Sequence, residues 1–339
     1  MTLRPTTSSE AASHEALKCN RVSRRRCLKT MGAAVLGASA IGASGLAAPA
    51  AADLRAKAKS QIRLGIDASV YSKLPLEEAV RQIRKDGFSS VLTSFSFADV
   101  AFDPWKPDWK AAERITSCFA AEGVRIAAIF GYYNVVDPDV ERRRRGEERM
   151  DLLIANCKRL GCPVISTETG TLNRTSEWDD APENAIEESY LQCRGAFERL
   201  VRAAEKTGAV ISIEAYWKNI ISSIDRAERL LKDVPSPALQ VVMDPCNYFR
   251  KEELPKMQPM LEDMFRRLGK RIAVAHAKDV KAAAEGTDLP AAGMGVLDYP
   301  LYLRLLAQLD RPIDLILEHL TLPDVPRARD FVLAQMEKV

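Results

Sequence analysis

Four polar residues each close a short apolar run that reads as a β-strand: Glu214 in VISIEAYW, Asp244 in QVVMDPCN, His276 in IAVAHAKD and Glu318 in DLILEHL. Steps of roughly 30 to 40 residues separate them, the length of one strand-helix unit in a (β/α)8 barrel. In that topology successive strand ends meet at one mouth, so the spacing gathers three carboxylates and one imidazole in one place. Such a donor set, rich in oxygen and without thiolate, suits a hard divalent cation.

The rest of the chain keeps the same rhythm. Short apolar runs at 61–68, 88–95, 125–131, 163–168, 209–215, 239–244, 272–277 and 314–319 have the composition of strands buried on both faces. Amphipathic segments lie between them. In the first, Leu76, Ala79, Val80 and Ile83 mark one helical face, and Gly87 follows Arg84-Lys85-Asp86 as a C-terminal cap. Pro235 ends the segment carrying Ala227, Leu230 and Leu231, while Asp298 with Pro300 opens the one carrying Leu301, Leu305 and Leu306. Strict β/α alternation implies a parallel sheet with right-handed crossovers. Eight units, with no Gly-x-Gly-x-x-Gly after the first strand, favour the closed barrel over an open dinucleotide-binding sheet. The expected fold is an α/β (β/α)8 TIM barrel, a single domain over 61–339, preceded by a short linker at 53–60 and an N-terminal signal at 1–52.

The signal is read from Ser23-Arg24-Arg25-Arg26-Cys27-Leu28-Lys29, a Gly/Ala-rich run from Met31 to Leu46, and Ala-x-Ala at 48–50 or 50–52. A basic segment, an apolar segment and a small-residue cleavage site describe a secretory signal, and the paired arginines indicate the twin-arginine route. Cys27 stands where that motif usually has Phe. An uncleaved N-terminal anchor is the other reading, but the Gly, Ala and Ser content argues against a membrane span. The expectation is a periplasmic protein handed to the twin-arginine export machinery, with no stable membrane anchor.

Charge changes sign once this segment is removed. Taking the seven basic and two acidic residues of 1–52 from the 49 and 46 of the whole chain leaves 42 and 44. That balance gives no basic surface for nucleic acid or anionic membrane. The basic run Arg142–Arg145 is flanked by Glu141, Glu147 and Glu148 and reads as a solvated helix face with internal pairing. Five cysteines remain, at 118, 157, 162, 193 and 246, an odd number without metal-ligand spacing and therefore not a disulfide framework. Export of an already folded protein reconciles free thiols with an oxidising destination.

At the strand ends the pattern becomes specific. Glu214 at the fifth, Asp244-Pro245-Cys246-Asn247 at the sixth, His276-Ala277-Lys278-Asp279 at the seventh and Glu318 at the eighth together resemble the xylose-isomerase-like barrels of the sugar phosphate isomerase/epimerase superfamily. Glu168-Thr169-Gly170-Thr171 after the fourth strand and Gly293-Met294-Gly295-Val296-Leu297-Asp298-Tyr299 after the seventh extend the match over nearly all of 53–339. The resemblance implies that Glu214, Asp244, His276 and Glu318 bind one divalent ion and that Glu214 and Glu318 also act as acid and base. Where relatives often carry a second histidine shortly after the first glutamate, this chain has Tyr216-Trp217.

The residues around the quartet are read from parity and type. Lys278 shares the inward parity of His276 and is placed on a substrate oxygen; Asp279 faces the other way, into a supporting role. Asn247 and Tyr216 join them as candidate substrate contacts. Glu168 either binds substrate hydroxyls or caps the fourth helix, and His276 taken alone could be a core imidazole. His319, with parity opposite to Glu318, is read as structural. Phe130, Tyr132, Tyr133, Tyr216 and Trp217 either stack on a sugar or fill the barrel. Rim loops Thr171–Asp180 and Ala282–Gly293 are the expected specificity elements.

Proton abstraction beside a carbonyl gives an enediolate, whose oxygens need a fixed positive charge. The expected activity is therefore a metal-dependent isomerase or epimerase on an unphosphorylated sugar or keto-sugar. Manganese is the expected ion, with Mg2+, Co2+ or Zn2+ as alternatives, and loading in the cytoplasm before export would limit competition from copper and zinc. The alternatives are a lyase that cleaves 3-keto-glycosides by β-elimination and a non-catalytic sugar-binding barrel with a structural metal. Two histidines beyond residue 52 are too few for the trinuclear zinc site of the superfamily's DNA-repair branch. A homo-oligomer is left open.

Overall fold

The computed structural model describes residues 51–339. Eight parallel strands close into a barrel: β1 (Ile62–Asp67), β2 (Ser90–Thr93), β3 (Arg125–Phe130), β4 (Val164–Glu168), β5 (Val210–Glu214), β6 (Leu239–Met243), β7 (Ile272–Ala277) and β10 (Ile313–Leu317). Each pairs with its sequence neighbour, and β1 meets β10 to close the ring. A two-stranded hairpin, β8 (Lys281–Ala282) with β9 (Thr287–Asp288), rises from the loop after β7. Every strand expected from the apolar runs is present, with each end within two residues of the expectation.

Nine helices lie among the described residues: α1 (Ala51–Gln61), α2 (Leu76–Lys85), α3 (Trp109–Ala121), α4 (Val140–Asn156), α5 (Glu187–Thr207), α6 (Ile224–Asp233), α7 (Met257–Leu268), α8 (Tyr299–Ala307) and α9 (Val325–Met336). In α2 the four apolar positions are all fully buried. The Val, Leu and Ile among them contribute about 1.5–3 kcal/mol each by leaving water. The helix ends as its sequence indicates. Gly87 at φ +90° lets its own N–H reach Arg84 O and the Phe88 N–H reach Ile83 O, the two bonds of a Schellman cap. Asp298 caps α8 by accepting from the Leu301 N–H at 3.0 Å.

One boundary needs correction. The segment 53–60, expected as a linker, belongs to helix α1, because its Ala- and Lys-rich composition favours helix and Leu54 and Ala58, one turn apart, are buried against the barrel. Of the expected signal, 1–52, only Ala51 and Ala52 fall within the described residues, and they open this helix. The arginine run behaves as a solvated face: Arg144 pairs with Glu141 and Glu148, and Arg142 with Asp137.

Most of the core lies between the strands and the surrounding helices. A separate small cluster, Leu92, Ala127, Ala128, Val242, Val274 and Ile316, fills the barrel interior. This inner layer sets the site, because side chains two residues further along a strand point the same way. Val242, Val274 and Ile316 are followed at that spacing by Asp244, His276 and Glu318. On β4 and β5 the equivalent layer is Ser166 and Ser212, with hydroxyls 2.9 Å apart, followed by Glu168 and Glu214.

Candidate metal centre

Glu214, Asp244, His276 and Glu318 converge at the C-terminal mouth, each offering a donor atom within 4.8 Å of the other three. Imidazole Nδ1 of His276 lies 3.1 Å from Glu318 Oε2, 3.6 Å from Glu214 Oε1 and 3.7 Å from Asp244 Oδ2. All four residues are at least nine-tenths buried. His276 Nδ1 and Nε2 and Asp244 Oδ2 make no hydrogen bond despite being enclosed. Buried polar atoms without partners are costly, so orphans on both an imidazole and a carboxylate fit a set that binds an ion. The oxygen-rich composition fits Mg2+ or Mn2+, with one nitrogen donor that also suits Zn2+.

Lys278 stands inside this group. Its ammonium donates to Glu318 Oε1 at 2.6 Å and lies 2.6 Å from Asp244 Oδ2, although the latter approach is off the line of a hydrogen bond. The expectation that Lys278 shares the inward parity of His276 holds, and its partners in this structure are the carboxylates. Burial disfavours the charge of both His276 and Lys278, but the surrounding carboxylates outweigh it and hold both well above their ordinary values. Burial likewise opposes ionisation of Glu214 and Glu318. For Glu214 the His276 imidazole and Lys278 prevail and bring the carboxyl down to about 2; the same two neighbours hold Glu318 well below the usual range. Asp244, fully enclosed, is raised by burial.

Neutral donors complete the shell of Glu214. Asn247 Nδ2 donates to Oε1 at 2.7 Å, and the Tyr132 hydroxyl donates to Oε2. Asn247 is thus a partner of the glutamate as well as part of the cavity wall. Tyr132, read from sequence as a residue that either stacks on a sugar or fills the barrel, is held next to Glu214 by its position two residues beyond Phe130, a parity signal that the sequence did contain. Its hydroxyl is raised well above the ordinary value, first by burial and then by Glu214.

Above the quartet opens a cavity of about 420 Å3, lined among others by Phe130, Tyr132, Glu168, Tyr216, Asn247 and Lys278. Glu168 makes no helix cap: both carboxyl oxygens are buried without a partner, and burial raises the group well above the ordinary range. Tyr216 lines the wall as expected. Tyr133 and Trp217 do not; Tyr133 packs against Gly146, and the Trp217 ring has Lys218 and Arg250 over it. Asp67, Asn219, Trp178 and His319 also line the cavity. His319 is a correction: a backbone φ of +56° breaks strand parity and brings the ring to the rim, where Nδ1 lies 2.7 Å from Leu289 O. No feature of a single sequence reveals that dihedral.

The two expected rim loops are both present at the mouth, through Trp178 and Leu289. Asp279 supports the second of them. Its carboxylate accepts from the N–H groups of Val280, Gly293 and Leu297 at 2.9, 3.0 and 2.9 Å, a backbone clamp in place of a salt bridge. Gly295 is required there, since a Cβ would overlap Val280 O and Asp279 Oδ1. The motif from Gly293 to Tyr299 is thereby explained as loop architecture. Cys118, Cys157, Cys162, Cys193 and Cys246 are free thiols, and Cys246 Sγ contacts Lys278 O at 3.5 Å behind the site.

A family model described as xylose isomerase-like TIM barrel matches residues 51–332. No curated protein matches the chain by sequence. Among solved structures, the chain is similar to a xylose isomerase-like TIM barrel protein from Mycobacterium smegmatis in complex with magnesium (TM-score 0.60, 16% identity, covering 83% of this chain and 97% of that one). It is also similar to 3-keto-D-glucoside 4-epimerase from E. coli (0.62, 14%, 82% and 100%). A third similar fold is the probable 3-DHS dehydratase of petrobactin synthesis from Bacillus anthracis (0.60, 14%, 82% and 97%). At these identities the likeness is one of fold.

Proposed function

The chain belongs to the xylose isomerase-like TIM barrel family, and from that premise we propose that it is a divalent-metal-dependent isomerase or epimerase acting by proton transfer at carbon on an unphosphorylated sugar or keto-sugar. The observation that carries this reading is the convergence of Glu214, Asp244, His276 and Glu318 beneath a cavity at the C-terminal mouth, the face where barrels of this kind keep their chemistry. Those four residues would hold the ion, which when bound supplies a fixed positive charge to a substrate oxygen as it becomes negative. Manganese is our assignment from the donor set, with Mg2+, Co2+ or Zn2+ as the other candidates.

The protein's own groups divide the proton work. Glu214 is ionised and held by the neutral donors Tyr132 and Asn247, so it is oriented as a base that takes the proton from carbon. Glu318 carries the Lys278 ammonium on one oxygen, so this pair is the donor that returns a proton. Return at the neighbouring carbon, with the hydroxyl proton passed from one enediolate oxygen to the other, isomerises the sugar, and return on the opposite face of the same carbon epimerises it. Glu168, Asn247, Lys278 and Tyr216 are the proposed substrate contacts.

A second reading is β-elimination from a 3-keto-glycoside. It is favoured by the same Lys278, a buried ammonium on the cavity wall that can protonate a departing oxygen. Similar folds that include an epimerase and a dehydratase support both outcomes. We also propose that the enzyme works in the periplasm after twin-arginine export, on the strength of the motif at Ser23–Lys29.

The test is turnover of aldoses, ketoses and 3-keto-glycosides, before and after dialysis against EDTA. Isomerised, epimerised or cleaved product that disappears on chelation and returns with Mn2+ supports the proposal; activity indifferent to chelation overturns it.

A further inference from the structure

Four polar atoms in the cavity wall stand without a partner. Both carboxyl oxygens of Glu168 and both amide atoms of Asn219 are buried and without hydrogen-bond partners, and both residues line the cavity. Residue exposure is 3% and 1%. An orphaned buried group costs about 1–3 kcal/mol, so two side chains lining one cavity with four orphans point to a ligand.

Their positions are fixed by backbone. Ile220 N–H donates to Gly170 O at 2.9 Å, and Ile221 N–H donates to Thr169 Oγ1 at 3.3 Å. The segment that follows Asn219 is thereby stitched to the segment that follows Glu168. Asn219 itself closes a tight turn, its N–H donating to Tyr216 O at 2.7 Å. The two side chains form a preorganised wall outside the metal quartet, on the β4 and β5 side of the mouth, and the half-exposed indole of Trp178 stands at the rim of the same cavity.

We infer that this wall is a second subsite, which binds the hydroxyls of an uncharged sugar unit attached to the one that reacts over the metal. The inference rests on the function proposed above and narrows its substrate class to neutral glycosides of at least two units. An amide and a carboxyl offer both donors and acceptors, as vicinal hydroxyls require. They offer no cation: Lys278 is engaged by Glu318 and Lys218 by Asp179, so a phosphate or uronate in this position would find no counter-charge. A cavity of about 420 Å3 exceeds what one pyranose fills, and an indole at its rim is a surface on which a second ring can stack.

The experiment is calorimetric titration of the protein, in EDTA and again in Mg2+, with maltose, cellobiose and lactose against glucose and galactose. At least one disaccharide is expected to bind on the order of tenfold more tightly than its monosaccharides, a gain of two or three neutral hydrogen bonds. Asn219→Ala, shown to be folded by circular dichroism, should erase most of that difference while leaving monosaccharide affinity within about twofold. Disaccharides that bind no better than monosaccharides overturn the inference, as does a variant that weakens both kinds equally. The titration in EDTA does not depend on the metal, so failure of the proposed reaction appears as missing turnover and failure of the subsite as missing disaccharide preference.

Discussion

Glu168 and Glu214 are register partners across the β4–β5 ladder, and the acidities of their carboxyl groups are shifted in opposite directions. Burial opposes charge on both. Glu214 overcomes it through His276 and Lys278, which bring it down to about 2, whereas Glu168 has no partner and burial holds it well above the ordinary range. Two carboxyls one strand apart are thus pushed in opposite directions by their surroundings.

Replacing Glu168 by Gln tests that assignment through stability. A carboxyl raised on folding binds a proton in the native state that the unfolded chain has already lost, so native stability falls as pH rises through the ordinary carboxylate value, about 4.3. Glu168→Gln removes this penalty. Its melting temperature should exceed the natural protein's at pH 7, and the gap should close near pH 4. Scanning calorimetry at the two pH values measures it; an equal gap at both contradicts the assignment.

Lys278→Met leaves Asp244 and Glu318 without their ammonium. Breaking a buried ion pair costs roughly 3–5 kcal/mol, so the metal-free variant should melt well below the natural protein. Added Mn2+ or Mg2+ should then restore more stability to the variant than to the natural protein, because the ion neutralises the abandoned carboxylates. Equal stabilisation of both proteins would show that Lys278 and the ion do not share these groups.

His276 couples metal uptake to pH. Burial works against its charge, yet Glu318 and Glu214 hold the imidazole protonated above its ordinary value in the metal-free protein, while a metal needs it neutral. Apparent affinity should therefore rise with pH across the neutral range, with about one proton released per ion bound at pH 7. Titration calorimetry in buffers of different ionisation enthalpy counts that proton; buffer-independent heats would contradict the account.

The barrel was legible because its signals are local and repeated: eight apolar runs, helix faces such as Leu76 to Ile83, and caps such as Gly87 and Asp298. The metal quartet was legible because strand parity carries from Val274 to His276 and from Ile316 to Glu318. What escaped depends on backbone detail or distant contact. His319 reaches the rim through a positive φ, and Asn219 is brought to Glu168 by bonds to Gly170 and Thr169. The segment 53–60 had a helical composition in its alanines and lysines, but the burial that keeps it on the domain, at Leu54 and Ala58, is a distant contact.

Tyr132→Phe removes the hydroxyl donor from Glu214 Oε2. A hydrogen bond to a charged group is worth about 1.5–3 kcal/mol, so kcat should fall by roughly ten- to a hundredfold with the fold and metal content intact. A variant with unchanged kcat would remove Tyr132 from the positioning of the base.

The central claim is enolate chemistry at a metal held by Glu214, Asp244, His276 and Glu318, and proton NMR in D2O tests it most directly. With Mg2+-loaded protein and a panel of ketoses and 3-keto-glycosides, the account predicts solvent deuterium at a carbon beside the carbonyl. Glu214→Gln should lower the incorporation by a factor on the order of 10²–10⁴. Protein with confirmed bound metal that exchanges no carbon-bound hydrogen in any of these substrates would contradict it.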